Sequence, residues 1–312
     1  MEIGVVLPLA EYPWKQPSYS EIRALALSAE DSGFDSVWVF DHLLFRGAPG
    51  EPTEGIWESW TILSALAEAT GRVRLGTLVL CTAFRNPAVL AKMAVTLDEV
   101  SEGRLILGLG SGWHEPEFEA FGVPFENRVS RFEESLHVIT SLLRTGTLDF
   151  EGRHIRIRGG ELRPRGVRAS GPPILVAAFQ PRMLRLAARH ADMWNTCWLG
   201  GPSTLGDWPE RVNAACAEVG RDPASLDITV GVNVVPGDSP ADLPDDRPVL
   251  SGTSAQIAAG FLGYAAHGVS HLICNLNPHD ATAQKALSAA LHLYREQCDL
   301  LQKGKADGMG GR

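Results

Sequence analysis

The stretch that decides the fold is residues 74–110, RLGTLVLCTAFRNPAVLAKMAVTLDEVSEGRLILGLG, which has the pattern strand, helix, strand. Its apolar runs, residues 74–80 and 104–109, are continuous rather than alternating. Continuous runs are typical of parallel strands that are covered on both faces. Between them, Pro87 stands at a first-turn position, which predicts a helix over residues 87–100. The stretch therefore predicts two parallel strands joined by a helical crossover.

The same unit recurs along the 312 residues. Strands are predicted at residues 3–7, 36–40, 74–80, 104–109, 174–178, 193–196, 228–235 and 271–275. Helices are predicted at residues 19–32, 57–70, 87–100, 131–143, 182–189, 208–219, 255–267 and 281–302. Eight such units favour a (β/α)₈ barrel, that is, a TIM barrel of the α/β class. An open doubly wound sheet is the alternative, but residues 7–20 lack the glycine fingerprint that its first turn usually carries.

Two stretches exceed a plain barrel. Residues 111–130 are predicted to be a loop inserted after the fourth strand, and residues 147–173 have the pattern of a small hairpin before the fifth. Neither has enough apolar residues for a core of its own, so residues 1–303 are predicted to be one domain. The glycine-rich residues 304–312 are predicted to be a flexible tail.

Composition excludes several classes of protein. The net charge of −9 argues against a nucleic-acid binder, which usually has a basic face. No apolar run approaches the roughly 18 residues of a membrane helix, and the first residues lack the pattern of a secretory signal. The five cysteines are scattered, which favours reduced thiols and a cytoplasmic protein without a metal site.

Parallel barrels bind ligands at the C-terminal ends of their strands. Asp41 and His42 follow the second predicted strand directly. Histidine exchanges protons near neutral pH, and a neighbouring carboxylate can orient its ring. The pair is therefore a candidate for catalysis. The alternative is a structural pair that caps the following loop.

The ends of the fourth and fifth strands hold further candidates. Gly108, Gly110 and Gly112 permit close approach of a ligand, although a structural turn would use the same residues. After the fifth strand, Pro181 opens a helix whose N-terminal N–H groups could bind a phosphate. An ordinary capped helix is the alternative there.

Several stretches together resemble the bacterial luciferase-like superfamily of flavin-dependent monooxygenases and deazaflavin (coenzyme F420)-dependent oxidoreductases. They cover most of residues 1–275. The matching stretches are VWVFDHLL (37–44), RVRLGTLVLCTAFRNPAVLAKMAVTLDEVSEGRLILGLGSGWHEPEFEAFGVPF (72–125), RFEESLHVI (131–139), PPILVAAFQPRMLRLAARHADMWN (172–195) and SGTSAQIAAGFLGYAAHGVSHLI (251–273).

The resemblance implies a barrel that binds its cofactor at the C-terminal rim. It also implies a non-proline cis peptide between Leu78 and Val79, behind the central ring of the cofactor. The cofactor's phosphate-bearing tail would lie against the segment that ends the fifth strand. The implied cofactor-binding residues are Asp41, His42, Leu78, Val79, Ser111, Gly112, Trp113, Ala177, Ala178, Phe179 and Gln180.

The chain also departs from parts of the superfamily. Ser111 stands where the luciferases have an arginine that clamps the flavin phosphate, and Trp113 stands where sugar-phosphate dehydrogenases of the deazaflavin branch have a catalytic glutamate. Asp41 with His42 is the form associated with the deazaflavin branch. The sequence therefore favours F420 over FMN, and a sugar-phosphate substrate is not carried over.

The preferred function is F420-dependent hydride transfer to or from a small organic substrate. His42 would donate or accept the proton, and Asp41 would orient His42. The alternative is a reduced-FMN-dependent monooxygenase that incorporates oxygen from O₂. A non-catalytic flavoprotein and a metal-dependent barrel hydrolase are further hypotheses.

Aromatic residues near predicted strand ends favour an apolar or aromatic substrate, although about half of them are expected to be ordinary packing. They are Trp14, Phe45, Trp57, Trp60, Phe84, Trp113, Trp194 and Trp198. By resemblance alone, the protein is predicted to be a homodimer through its second and third helices. No nucleic-acid or membrane partner is expected.

Overall fold

The computed structural model describes residues 1–12, 15–47, 50, 52–237 and 247–309, with side chains described as far as residue 303. The strands are β1 (Glu2–Val6), β2 (Ser36–Val39), β3 (Leu44–Arg46), β4 (Thr53–Gly55), β5 (Arg74–Thr77), β6 (Leu80–Cys81), β7 (Leu105–Gly110), β8 (Thr147–Glu151), β9 (Arg156–Glu161), β10 (Ile174–Ala177), β11 (Met193–Leu199), β12 (Asp227–Pro236), β13 (Leu250–Gly252) and β14 (His271–Leu276). The helices are α1 (Tyr19–Asp31), α2 (Ser59–Ala69), α3 (Pro87–Val100), α4 (Glu115–Ala120), α5 (Arg128–Thr145), α6 (Pro181–His190), α7 (Trp208–Glu218), α8 (Ser254–Ala266) and α9 (Ala281–Met309).

Parallel strands close into a barrel in the order β10–β11–β12–β14–β1–β2–β5–β7, and pairing of β7 with β10 completes the ring. The predicted (β/α)₈ barrel is therefore confirmed. Each of its strands lies where an apolar run was predicted. Two short strands join this sheet besides the eight of the barrel. Strand β6 pairs with β7 and begins at Leu80, the last residue of the predicted strand 74–80; β13 pairs with the end of β12 and was not predicted.

The barrel interior is filled by side chains, as alternate residues of each strand point inward. These residues are Val6, Trp38, Leu78, Ile106, Leu175, Met193 and Ile273. Trp38 is fully buried, and its ring occupies space that a side chain at position 76 would need. A Cβ on Gly76 would lie 2.1 Å from the Trp38 ring. The packed interior leaves the strand ends as the place for a ligand.

The two predicted insertions lie where they were expected. The hairpin of β8 and β9 precedes β10, and the segment after β7 contains α4. Helix α4 was predicted to be loop, because six residues are too few to show a helical period. The β3–β4 hairpin after β2 was not predicted either, since strands of three residues show no alternation.

The apolar core cluster includes residues from Ile3 to Tyr294. Helix α9 continues to Met309, beyond the predicted domain end at residue 303. The division into one domain and a flexible tail stays a prediction, and residues 310–312 lie outside the described residues. In the described ranges, no helix has the length and apolar character that crossing a membrane requires. The five cysteines form no disulfide.

Candidate active site

The predicted site residues lie at the C-terminal ends of β2, β5, β7 and β10. Asp41 and His42 follow β2, Leu78 and Val79 follow β5, and residues 111–113 follow β7. Residues 177–180 join the end of β10 to α6. These strands are consecutive neighbours in the barrel. The fold therefore brings the predicted residues together along one arc of the rim.

The imidazole of His42 is held by Glu117 of α4. Nδ1 of His42 lies 2.9 Å from Oε1 of Glu117, and the backbone N–H of Leu43 donates to Oε2 at 2.8 Å. Since a carboxylate accepts hydrogen bonds, we assign the hydrogen of the His42 ring to Nδ1, the nitrogen that faces Glu117. The Glu117 side chain is 1% exposed and that of His42 is 14% exposed. The second ring nitrogen, Nε2, is thereby left as the atom that can exchange a proton.

Glu117 was missed by the sequence analysis. It lies 75 residues after His42, in an insertion where Glu115 and Glu119 are equally acidic. The one sequence feature that sets Glu117 apart from these two is the aromatic residue that follows it, Phe118, which is fully buried. That feature indicates a buried helix face but does not indicate a histidine partner.

Asp41 does not contact His42 in the way that the sequence analysis predicted. Both of its oxygens accept hydrogen bonds from elsewhere: Oδ1 from Ser59 at 2.7 Å and Oδ2 from the backbone N–H of Cys81 at 2.9 Å. The guanidinium of Arg85 donates to both oxygens, at 2.7 and 3.0 Å. Asp41 therefore ties together the end of β2, the start of α2 and the segment after β6. The prediction that it orients His42 is wrong, because Glu117 does so.

Arg85 carries the opposite charge in this buried cluster. Burial works to lower its pKa, but the hydrogen bonds and charges of Asp41 and Glu58 outweigh burial and hold the pKa above its ordinary value. The neighbouring Cys81 thiol has its pKa raised to about 12, chiefly by burial. Burial therefore disfavours the thiolate of Cys81, which is the form that acts as a nucleophile.

Four other aromatic rings lie near the His42 ring. We call Phe40, His42, Phe45, Trp113 and His114 the aromatic wall. The ring centroid of His42 lies 4.4 Å from that of Phe45 and 5.5 Å from that of Trp113. Trp113 is 65% exposed, which is unusual for so large an apolar side chain. Nε2 of His114 accepts the backbone N–H of Arg46. Burial, the main cause, together with the charges of His42 and Arg46, lowers the pKa of His114 despite the opposing charge of Glu117.

The peptide bond between Leu78 and Val79 is cis, as the resemblance implied. Thr77 exchanges two hydrogen bonds of 2.9 Å with the backbone of Gly108, so this segment is joined to β7. A Cβ on Gly110 would lie 2.6 Å from Cγ2 of Val79. Glycine at position 110 therefore allows Val79 to approach the strand. A second non-proline cis peptide joins Cys197 and Trp198, and the sequence analysis did not predict it.

The N-terminus of α6 is the predicted phosphate end of the site. Gln180 is its N-cap residue but makes no side-chain capping bond, and Pro181 follows. Phe179 is 38% exposed. The backbone carbonyl of Phe179 accepts a hydrogen bond from the Arg211 guanidinium at 3.0 Å. The Arg211 guanidinium also lies 4.0 Å from the centre of the Trp208 ring. Arg211 is a cation at this end of the site that the sequence analysis missed, since it lies on α7 behind a different strand.

Of the predicted aromatic residues that the structure describes, some lie at the rim or the barrel interior, and the others serve ordinary packing or hydrogen bonding. Phe45 and Trp113 belong to the aromatic wall, and Trp198 packs against the barrel interior. Trp60 and Trp194 are buried core residues, Phe84 packs on Phe118, and Trp57 donates to the carbonyl of Pro17. Trp14 lies outside the described residues. Within the described ranges, no group of three histidine, cysteine, aspartate or glutamate residues is arranged to hold a metal ion.

A parallel barrel with a carboxylate-held histidine among aromatic rings at its C-terminal rim has the features of an enzyme active site. The model of the luciferase-like monooxygenase family matches residues 1–300, and the chain belongs to that family.

Two kinds of curated relative are similar to this chain. One is a phthiodiolone/phenolphthiodiolone dimycocerosates ketoreductase of Mycobacterium sp. (strain JLS), 32% identical over 299 residues, which are 85% of this chain and 76% of the relative. Another is the pyrimidine monooxygenase RutA of Rhizobium rhizogenes (strain K84 / ATCC BAA-868), 31% identical over 242 residues, which are 72% of this chain and 66% of the relative. The relatives thus include both a ketoreductase and a monooxygenase.

Solved structures with the same fold also include both cofactor types. An F420-dependent secondary alcohol dehydrogenase, in complex with an F420–acetone adduct, has a TM-score of 0.74 at 18% identity, covering 93% of this chain and 98% of its own. A riboflavin lyase with modified FMN and riboflavin has a TM-score of 0.78 at 15% identity, covering 95% and 91%. At these identities the likeness concerns the fold alone.

Proposed function

We propose that this protein is an F420-dependent oxidoreductase that transfers hydride to or from a small organic substrate with a carbonyl or alcohol group. The observation that carries the proposal is the His42–Glu117 pair at the barrel rim. The arrangement leaves Nε2 of His42 available for proton exchange beside the other rings of the aromatic wall. The ketoreductase relatives, at 32–33% identity, support the same reaction class.

The residues at the rim have separable tasks. As the imidazolium, His42 would give the Nε2 proton to a carbonyl oxygen during reduction; as the neutral ring, it would take the proton from an alcohol at Nε2 during oxidation. Glu117 keeps the ring in one orientation and one tautomer by accepting from Nδ1. Phe45 and Trp113 would provide apolar surface for the substrate and, once it is bound, would shield the reacting group from water. The bound deazaflavin would supply the hydride chemistry.

The residues present fit a cofactor with a flat ring and an anionic tail. Trp113 and Phe179 leave large apolar surfaces exposed at the rim. The first turn of α6 has N–H groups without a side-chain cap, and such groups suit a phosphate oxygen. Leu78, Val79, Ser111 and Gly112 would line the ring, and residues 177–180 would border the tail.

We predict that the protein binds F420 more tightly than FMN. Ser111 offers a hydroxyl where an FMN phosphate would want a guanidinium, and one lost charge-assisted hydrogen bond costs about 1.5–3 kcal/mol, or roughly tenfold or more in affinity. The longer F420 tail spreads its contacts and depends less on one clamp. Fluorescence titration of the protein with each cofactor, oxidised and reduced, measures the difference. Micromolar binding of FMN without binding of F420 would reverse the proposed order.

The second candidate function is a reduced-FMN-dependent monooxygenase. The observation that favours it is Arg211, whose guanidinium lies against Phe179 at the start of α6 and could approach an FMN phosphate. The pyrimidine monooxygenase relative also supports it. Oxygen consumption with reduced FMN distinguishes the two functions, because reduced F420 does not readily activate oxygen.

We further propose that the protein is a homodimer through α2 and α3. The resemblance implies this interface, and α3 exposes Val89 and Val100, which are 54% and 46% exposed. Burial of such side chains favours association. Light scattering coupled to size-exclusion chromatography should give twice the 33.7 kDa chain mass. A monomer mass at micromolar concentration would contradict the proposal. The cytoplasmic location stays a prediction.

A further inference from the structure

A small cavity lies beside the barrel rim, next to the segment that carries Arg85. It has a volume of about 120 Å³ and lies between the turn Thr82–Phe84, the start of α3, the loop before α5, α5 itself and the β8–β9 hairpin. We call it the α5 cavity. Its polar lining residues are Thr82, Arg85, Arg131, Ser135 and His154. No aspartate or glutamate lines it in the part of the chain that the structure describes.

Arg131 is the unusual residue of the α5 cavity. Its Nε is shielded from solvent and has no hydrogen-bond partner. Other half-buried arginines are paired: Arg168 donates to Asp98, and Arg104 donates to several backbone carbonyls. A buried donor without a partner is costly, so native proteins rarely keep one without a bound group that it serves.

The charge of the α5 cavity comes chiefly from Arg131. Arg85 also lines the cavity, but Asp41 and Glu58 already neutralise it. Arg131 forms no ion pair with any described carboxylate. His154 adds a polar ring, which contacts the Ser130 hydroxyl at 2.8 Å. The nearby Glu134 carboxylate accepts the backbone N–H groups of His154 and Ile155. Among the described lining residues, Arg131 is therefore the cation without an ion pair, with N–H and O–H donors beside it.

We propose that the α5 cavity binds one small oxyanion of the size of inorganic phosphate or sulfate. The planar guanidinium of Arg131 is suited to such an anion, because its donors match the spacing of two oxygens. The hydroxyl of Ser135 and the ring of His154 provide further polar contacts. The volume is many times the roughly 10–15 Å³ that a single water requires. This site is separate from the proposed cofactor tail, which lies at α6.

Isothermal titration of the whole protein with sodium phosphate tests the proposal, with sodium chloride at equal ionic strength as the comparison. We expect saturable binding that Arg131→Gln weakens at least about tenfold, since it removes the charge-assisted bonds. Arg158→Gln is the matched control, because Arg158 lies exposed on β9 of the same hairpin. It should leave phosphate binding unchanged. Sulfate should compete with phosphate, and acetate should compete less.

Two results would overturn the proposal. The first is no phosphate binding beyond that of chloride, which would mean that water alone fills the cavity. The second is equal phosphate affinity in wild type and Arg131→Gln, which would place the anion elsewhere. If Arg131→Gln does not fold by circular dichroism, Arg131→Lys and Ser135→Ala replace it. Both should weaken binding, and unchanged affinity in both would equally reject the site.

Discussion

His42→Ala is expected to lower turnover roughly 10²–10⁴-fold, the usual contribution of a positioned acid or base, while cofactor affinity stays nearly unchanged. The reason is that alanine removes the Nε2 atom that exchanges the proton but leaves the strand ends and α6 intact. Steady-state turnover with the cofactor that binds, together with its dissociation constant from fluorescence, measures both quantities.

Two further variants test whether the loss of turnover is specific to the His42–Glu117 pair. His267→Ala is the control, because His267 is exposed at the end of α8 and should not alter turnover. Glu117→Gln should lower turnover roughly 10–100-fold, by analogy with the loss found when the hydrogen-bond partner of a metal-ligating histidine is removed. Nitrogen-15 NMR of the His42 ring should show that Glu117→Gln mixes the tautomers. Unchanged turnover in His42→Ala would mean that the His42–Glu117 pair has a structural role only.

Asp41→Ala is expected to lower the free energy of unfolding by about 3–5 kcal/mol, because it leaves the buried Arg85 charge without its main partner. The two side chains are only 1% and 12% exposed, so water cannot replace the lost bonds. The Ser59 hydroxyl and the Cys81 N–H lose their acceptor as well. Urea denaturation followed by circular dichroism measures the change.

The matched control for this prediction is Asp31→Ala. Asp31 also pairs with an arginine, Arg72, but the side chains are 82% and 69% exposed. Exposed pairs are worth about 0–1 kcal/mol, so little change is expected. An equally small effect in Asp41→Ala would show that Asp41 is no structural tie. A double-mutant cycle with Arg85→Ala then gives the coupling energy of the buried pair.

The barrel could be predicted because its signals are local. Residues 87–100 were predicted as a helix with both ends correct, since Pro87 marks the start and the apolar spacing continues through the last turn. The strands of the barrel are buried on both faces, which makes each a continuous apolar run. Short elements such as α4 and the β3–β4 hairpin gave no such signal, because they are held by contacts with the rest of the rim.

The site was predicted only in part. The rim positions of Asp41 and His42 follow from the strand that precedes them, and the cis peptide at Leu78 follows from the resemblance. The role assigned to Asp41 was wrong because its carboxylate is bound by Ser59, Cys81 and Arg85. The Asp41 side chain faces α2 and the segment that begins with β6. The His42 ring faces the insertion that contains Glu117.

What the sequence by itself determined is the order of strands and helices, the closed barrel and the rim on which the site lies. These depend on periodicity over a few residues and on the number of units. What only the tertiary structure decided is the pairing of charges: Glu117 with His42 across 75 residues, and Arg85 with Asp41 across 44. Several carboxylates along the chain could have served each partner equally well. The choice depends on which strand ends become neighbours when the barrel closes, and only the folded chain contains that information.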